Sequence, residues 1–159
     1  MNRIKIPTPD QIPPAALSLL DAVKKQLGMV PNLIKILSIS LVALEGYMHL
    51  NEASSKSKLD AKTRERIALA IAEIMVNRSG VSSDPKAAAA VYFATRVVQK
   101  RGHVSDADFN AVKAAGYTQA EIVEMFIHVA FDSLTSFINA AAQIEVDFPM
   151  VNPLSRTAA

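Results

Sequence analysis

Chemistry in this chain has to be done by few residue types. It has three histidines (His49, His103 and His128), 15 acidic residues and no cysteine. A chain without sulfhydryls forms no disulfide, no thiolate metal site and no thiol nucleophile. His128 falls inside a long apolar-periodic segment, where an imidazole could shuttle protons near neutral pH. Its flanks, Phe126 and Val129, support a plainer reading as a hydrogen-bonded core or interface residue. His49 and His103 fall near predicted helix ends, where a cation meets favourable carbonyl dipoles, and receive structural roles.

Glu65, Glu73, Glu121 and Glu124 could join His128 as a carboxylate–histidine metal site. No His-x-x-x-His or Glu-x-x-His spacing occurs to support that set, so neither a metal nor another cofactor is expected. Ser79, Ser82 and Ser83 have no evident base beside them, and a hydroxyl is a poor nucleophile toward peroxide.

These residues sit on a scaffold whose composition is 50% apolar over 159 residues, enough for one core and one domain spanning 1–159. The net charge of +2 comes from 17 basic and 15 acidic residues scattered without a block of one sign. No surface emerges that would track a phosphate backbone, so nucleic acid is not an expected partner. The opening MNRIKIPTPD lacks an apolar signal core, and no uninterrupted apolar run approaches the roughly 18 residues that span a bilayer. A cytoplasmic protein with no membrane partner is the expectation.

Apolar residues recur at three and four between punctuating Pro, Gly, Ser, Thr and Asp, with no sustained period-two alternation, which predicts an all-α fold of about seven helices. Pro14 opens the first helix, which runs to Leu27 with Gly28 as its left-handed cap. Pro31 opens the second, carrying Leu33, Ile34 and Leu37. The third runs from about Leu41 to Ala53, with a loop over Ser54 to Lys58. Asp60 caps the fourth, whose apolar face carries Ile67, Ile71 and Ile74. Ser83-Asp84-Pro85 opens the fifth, with Ala88, Val91, Tyr92, Thr95 and Val98 along one side; Tyr92 is a packing residue there. Ser105 to Asp108 is a capping box for the sixth, and Thr118 to Glu121 repeats it for the seventh. Tyr117 reads as a loop residue beside that cap.

The seventh helix is uncharged from Ser133 to Ile144 and apolar over more than one face. It is expected to be central to the domain and to lie against another subunit in an obligate homo-oligomer. The stripe from Phe126 to Phe137 reads as core rather than as a ligand box.

The order of segments carries a resemblance. GMVPNLIKILSISLVALEGYMHLNEA, then LDAKTRERIALAIAE, then SSDPKAAAAVYFATRVVQKRGHVSDADFNAVKAAGYTQAEIVEMFIHVAFDSLTSFINAAAQIEVDFP, resembles the carboxymuconolactone decarboxylase-like superfamily on its alkylhydroperoxidase D-like branch. The likeness runs from about Pro13 to Pro149. It implies an all-helical bundle that assembles as dimers, trimers or hexamers. It also implies a Cys-x-x-Cys pair followed by a histidine that reduces a small peroxide with a thiol reductant, and a relay glutamate on the helix before it.

Glu65 matches that relay glutamate within RERIALAIAE. The cysteine motif expected soon after Glu73 is replaced by IMVNRSG, which resembles the family's segment one helix later. A block carrying both cysteines and the histidine is thus missing between Ala72 and Met75. Either the native chain holds a further segment there, or the segment has been deleted, or the connection is simply shorter. Asp132, Ser133, Ser136 and Phe137 also depart from the Asn-Thr and Asn-Tyr pattern that many relatives carry.

The leading functional expectation is therefore an alkylhydroperoxidase D-like protein of an antioxidant, peroxide-reducing family, with Glu65 as the surviving relay residue and His128 as an accessory. As written, the chain cannot run that thiol reaction. One alternative is a non-catalytic oligomeric scaffold or small-molecule binder. The other is a cysteine-independent acid–base enzyme of the lactone decarboxylase kind, which requires Glu65 and His128 to converge on one pocket.

Overall fold

The structure, a computed structural model, describes residues 3–75, 84–145 and 147, the side chains of 73–75 excepted. Among them are a 3-10 turn (Pro9–Gln11), seven α-helices and no strand. The helices are α1 (Pro14–Leu27), α2 (Asn32–Leu37), α3 (Leu41–Ser55), α4 (Ala61–Met75), α5 (Pro85–Gln99), α6 (Asp106–Ala114) and α7 (Gln119–Ala142).

Local chemistry places most of the ends. Gly28 ends α1 at φ 77°, a conformation that costs glycine little, and its N–H bonds the Lys24 carbonyl at 2.9 Å. Asp60 accepts from the Thr63 N–H at 2.9 Å and from its hydroxyl at 2.6 Å, fixing the start of α4. The Asp84 carboxylate accepts from the Lys86 N–H at 3.0 Å, and Pro85 occupies the first position of α5. Both predicted capping boxes form. Ser105 and Asp108 exchange bonds before α6, and Thr118 and Glu121 do so before α7.

The described residues fall into two compact units. One contains the described parts of Met1–Leu44 and Asn139–Ala159, the other Glu45–Ile138. In the first unit, Ala16, Leu20 and Val23 of α1 and Ile34, Ile36 and Leu37 of α2 are buried. The end of α7 is tied there to the amino-terminal segment, since the Arg3 N–H bonds the Ala142 carbonyl at 2.7 Å. Asn32 holds the following residues, donating its backbone N–H to Asp147 Oδ2 at 2.8 Å and its side-chain amide to the Glu145 carbonyl at 3.1 Å.

The second unit has its own core. Ile67 and Ile71 of α4, Ala90, Phe93 and Ala94 of α5, Val112 of α6, Tyr117, and Ile122 and Met125 of α7 form one buried cluster. Phe93 sits at its centre, edge-on to Phe109 and to Phe126, both with centroids 5.8 Å away. Burying each large side chain contributes about 1.5–3 kcal/mol.

Several sequence expectations need correction. α3 extends through Ser55, so Ser54 is helical rather than in a loop. The buried face of α5 is Ala87, Ala90, Phe93, Ala94 and Val97, one position off the predicted stripe. A segment reading AAAAVYFA is apolar all round, so hydrophobicity cannot set its rotation, and the bulk of Phe93 does. Tyr92 is 52% exposed, with its phenol near Asp108, whereas Tyr117 keeps its expected place in the loop beside the α7 cap but has its ring buried in the core. On α7, Phe126 and Phe137 are exposed at their outer faces, so their stripe is not a continuous core. The side chain of Ile74 lies outside the described residues.

α7 is also long and apolar enough to cross a membrane by length and composition alone, at a mean hydropathy of 1.2, contrary to the run-length expectation. The uninterrupted-run criterion missed it because Glu124, His128 and Asp132 break the run one helical turn apart on a single face. Within the fold, that face meets polar groups of α3 and α4.

Candidate functional site

The polar face of α7 is built against the end of α3 and the start of α4, all within the second unit. Tyr47 of α3 packs on Phe131 of α7 with ring centroids 5.1 Å apart, and its phenol lies near Thr135. One turn toward the amino end of α7, the Ser54 hydroxyl meets His128 Nδ1 at 2.9 Å. Glu124 accepts the Lys58 N–H at 2.7 Å and the Ser57 hydroxyl at 3.0 Å, which fastens the α3–α4 connection to α7. Arg64 donates through Nη1 to the Ser55 carbonyl at 2.9 Å and the Ser54 carbonyl at 3.3 Å. These are unpaired carbonyls of a helix end, where a cation is favoured.

Between these elements lies an open cavity of about 260 Å³ whose walls include Ser54, Arg64, Glu65, His128, Phe131 and Asp132. Glu65 and His128, the two sequence candidates, are thus brought to one cavity. They differ in setting: Glu65 is exposed, whereas His128 is 3% exposed. No hydrogen bond joins them. His128 Nε2, Arg64 Nε and Asp132 Oδ2 are buried atoms without a hydrogen-bond partner.

Burial sets the charge states. It pushes the His128 imidazole below its ordinary value, the Arg64 guanidinium pushes it further, and Glu124 partly opposes both. Burial alone pushes the Asp132 carboxyl up to about 6. The site therefore combines a neutral imidazole, a fixed guanidinium and a carboxyl that titrates close to neutrality.

Ser54 and Arg64 were not singled out by sequence reasoning, and Asp132 was marked only as a departure from the pattern of relatives. Asp132 carried a readable signal, its i+4 spacing from His128. Ser54 did not, because its pairing with His128 exists only once α3 and α7 pack. Of the other acidic candidates, Glu121 caps α7 and Glu124 holds the loop, while the Glu73 side chain lies outside the described residues. Among the described residues no three His, Asp or Glu side chains are grouped so as to hold a metal ion. His103 follows the end of α5 as expected, whereas His49 lies within α3 because that helix extends to Ser55.

A second cavity, of about 210 Å³, is lined by Asp60, Asp84, Lys86, Tyr117 and Glu121. Its carboxylates are occupied as caps of α4, α5 and α7, and Lys86 lies 4.6 Å from the Tyr117 ring centroid. Its polar groups serve the fold.

α4 is helical through Met75, and Val76–Gly80, the rest of the segment that stands where the cysteine motif was expected, lies outside the described residues.

No protein-family model and no curated protein matches the chain significantly. Solved structures do. A peroxidase-related protein from Silicibacter sp. TM1040, itself uncharacterized, superimposes with a TM-score of 0.79 at 16% identity, covering 92% of each chain. An alkylhydroperoxidase AhpD core, a peroxidase-related protein from Ralstonia eutropha JMP134, gives 0.77 at 18% identity and the same coverage. The chain has this all-helical alkylhydroperoxidase-like fold, as the order of its sequence segments implied.

Proposed function

We propose that this chain is a thiol-independent member of the alkylhydroperoxidase D-like, carboxymuconolactone decarboxylase-like group, with an acid–base site for a small molecule formed by Glu65 and His128. The observation that carries this reading is that the two residues, on α4 and α7, line one cavity in which His128 keeps a ring nitrogen uncommitted. Glu65 is the base. The buried neutral imidazole of His128 supplies a hydrogen bond to charge developing on the substrate. The scaffold alternative is less well supported, because it does not call for a cavity that brings Glu65, His128 and Asp132 together.

Peroxide reduction by the group's Cys-x-x-Cys chemistry needs a thiolate that this sequence does not contain. That activity would belong to a native chain in which the missing block is present, and the uninterrupted coding sequence across Ala72–Met75 decides it.

The acid–base reading is tested by incubating the purified chain with small cyclic acids and lactones and following decarboxylation or ring opening. Glu65→Gln and His128→Gln should each lower kcat by about a hundredfold or more, in line with general acid–base contributions. Turnover unchanged in both variants, or absent from the parent chain, sinks the reading.

A homo-oligomer, whether dimer, trimer or hexamer, is part of this proposal. α7 exposes Val123 (63%), Phe126 (38%) and Phe137 (58%), an apolar stripe suited to burial against a second copy. Light scattering of the parent chain and of Val123→Glu measures it, with dissociation of the variant expected.

A further inference from the structure

The hydrogen inventory of the cavity specifies what it would hold. Ser54 is 8% exposed, and its hydroxyl has one described partner, His128 Nδ1. If Ser54 accepted from Nδ1–H, its own proton would be buried without an acceptor. Donation to Nδ1 satisfies both groups and places the proton of the neutral ring on Nε2. Nε2–H is then a donor, and it has no acceptor.

Arg64 adds a second donor of the same kind. Its Nε–H is buried and unpartnered, and its Nη1 is committed to the Ser54 and Ser55 carbonyls. Those carbonyls carry no formal charge, and no described carboxylate forms an ion pair with it, so the guanidinium brings a positive charge without a counter-ion. Two donors, one of them cationic, select an anion with more than one acceptor oxygen.

Asp132 lines the same cavity and as a carboxylate would repel such an anion. Protonated, it no longer does, and its unpartnered carboxyl becomes a third donor. We propose that the cavity binds a small carboxylate together with one proton, the carboxylate held by Arg64 and His128 and the proton by Asp132. This rests on the reading of the cavity as a small-molecule site and identifies the class of molecule.

The charged and titratable groups around Asp132 agree with that assignment. They are Tyr47 on α3, Arg64 and Glu65 on α4, and His128 on α7. Burial pushes the Tyr47 phenol up and the His128 imidazole down, so both stay neutral above pH 6.5. Asp132 is the group that burial brings to about 6, where taking up a proton costs little.

Calorimetric titration of the full chain with benzoate tests the proposal; the Phe131 ring gives an aryl carboxylate an apolar partner in the cavity. Between pH 6.5 and 8 affinity should fall by about tenfold per pH unit, with uptake of close to one proton measured in buffers of different ionisation heat. The isosteric Asp132→Asn should bind with no such slope, Arg64→Gln at least tenfold more weakly, and neutral benzamide should bind at least tenfold more weakly than benzoate. Proton uptake by the parent chain needs no variant, so misfolding of a variant leaves the measurement decisive. Absence of benzoate binding at pH 6.5, affinity independent of pH, or equal binding of benzamide overturns the proposal. Binding with the expected slope but without turnover sinks only the acid–base reading, whereas turnover with pH-independent binding sinks only this one.

Discussion

Ser54 and His128, 74 positions apart in the chain, meet at 2.9 Å between a hydroxyl oxygen and a ring nitrogen, joining the last turn of α3 to the middle of α7. Both residues are buried, so water does not readily replace a lost partner. Ser54→Ala leaves Nδ1 without one, and the cost of stranding a buried polar group is about 1–3 kcal/mol. Urea unfolding should show a lower midpoint at an unchanged slope. A midpoint equal to that of the parent chain would mean that the contact contributes nothing.

His128 makes the fold sensitive to acid. Its folded-state pKa lies below the unfolded value because burial, and then Arg64, disfavour the imidazolium. The unfolded chain therefore binds a proton first, and the stability due to this group is complete above the unfolded value of about 6.5 and lost as pH falls below it. His128→Gln removes that loss. A plot of unfolding free energy from pH 7.5 to 5 should be flatter for the variant, and parallel curves would contradict the argument.

Asp132 acts in the opposite direction. Its carboxyl, ordinarily near 3.8, is raised to about 6 by burial. The folded state retains the proton better, so the associated stability is full below the ordinary value and lost as pH rises through about 6. Above that, the buried carboxylate costs on the order of 2–3 kcal/mol. Asp132→Asn, with nearly the same shape and no charge, should raise thermal stability at pH 7.5 and change it little at pH 4. Equal shifts at both pH values would show that burial is not what sets this group's proton affinity.

How much of this was legible in the sequence depended on how far apart the interacting residues are. Caps are local: Gly28, Asp60, Asp84, Ser105 and Thr118 act on groups within a few positions, so their side-chain chemistry announces the helix boundaries. The rotation of α5 was not legible, because a helix apolar on every side is oriented by shape, here by Phe93 between Phe109 and Phe126. Half of the cavity was readable in the same sense. The i+4 spacing of His128 and Asp132, its wall on α7, is a property of one helix. Ser54 and Arg64 join them only through packing of α3 and α4 on α7, and no local pattern marks them. The pairing of Glu65 with His128 came from segment order, which carries tertiary information that spacing alone does not.

The capping box of α6 offers a check away from the cavity. Ser105 accepts the Asp108 N–H at 3.2 Å and donates its hydroxyl to the Asp108 carboxylate at 2.7 Å. That carboxylate also lies 3.5 Å from Arg96 Nε on α5, so one residue serves both a helix start and a helix–helix contact. Ser105→Ala should cost about 1 kcal/mol by losing the cap. Asp108→Asn should cost more, because it weakens the cap and the ion pair together. Thermal unfolding of the two variants gives the order, and a smaller loss for Asp108→Asn would show that the ion pair adds nothing.

Redox chemistry gives the last expectation, and it follows from an elemental count. Reduction of a hydroperoxide by a dithiol enzyme begins with thiolate attack on the O–O bond and ends with a second thiol resolving the intermediate. Glu65 can relay protons to such a pair but cannot supply electrons, and His128 is no more able to do so. A preparation whose intact mass is 17.1 kDa should therefore consume no cumene hydroperoxide beyond the uncatalysed rate in the presence of a dithiol donor. Glu65→Gln should leave that background unchanged. Measuring mass and turnover on the same preparation makes the result decisive: catalysed consumption at that mass would require an electron source other than sulfhydryl, while a heavier product with activity would mean that the active chain carries residues absent from this sequence.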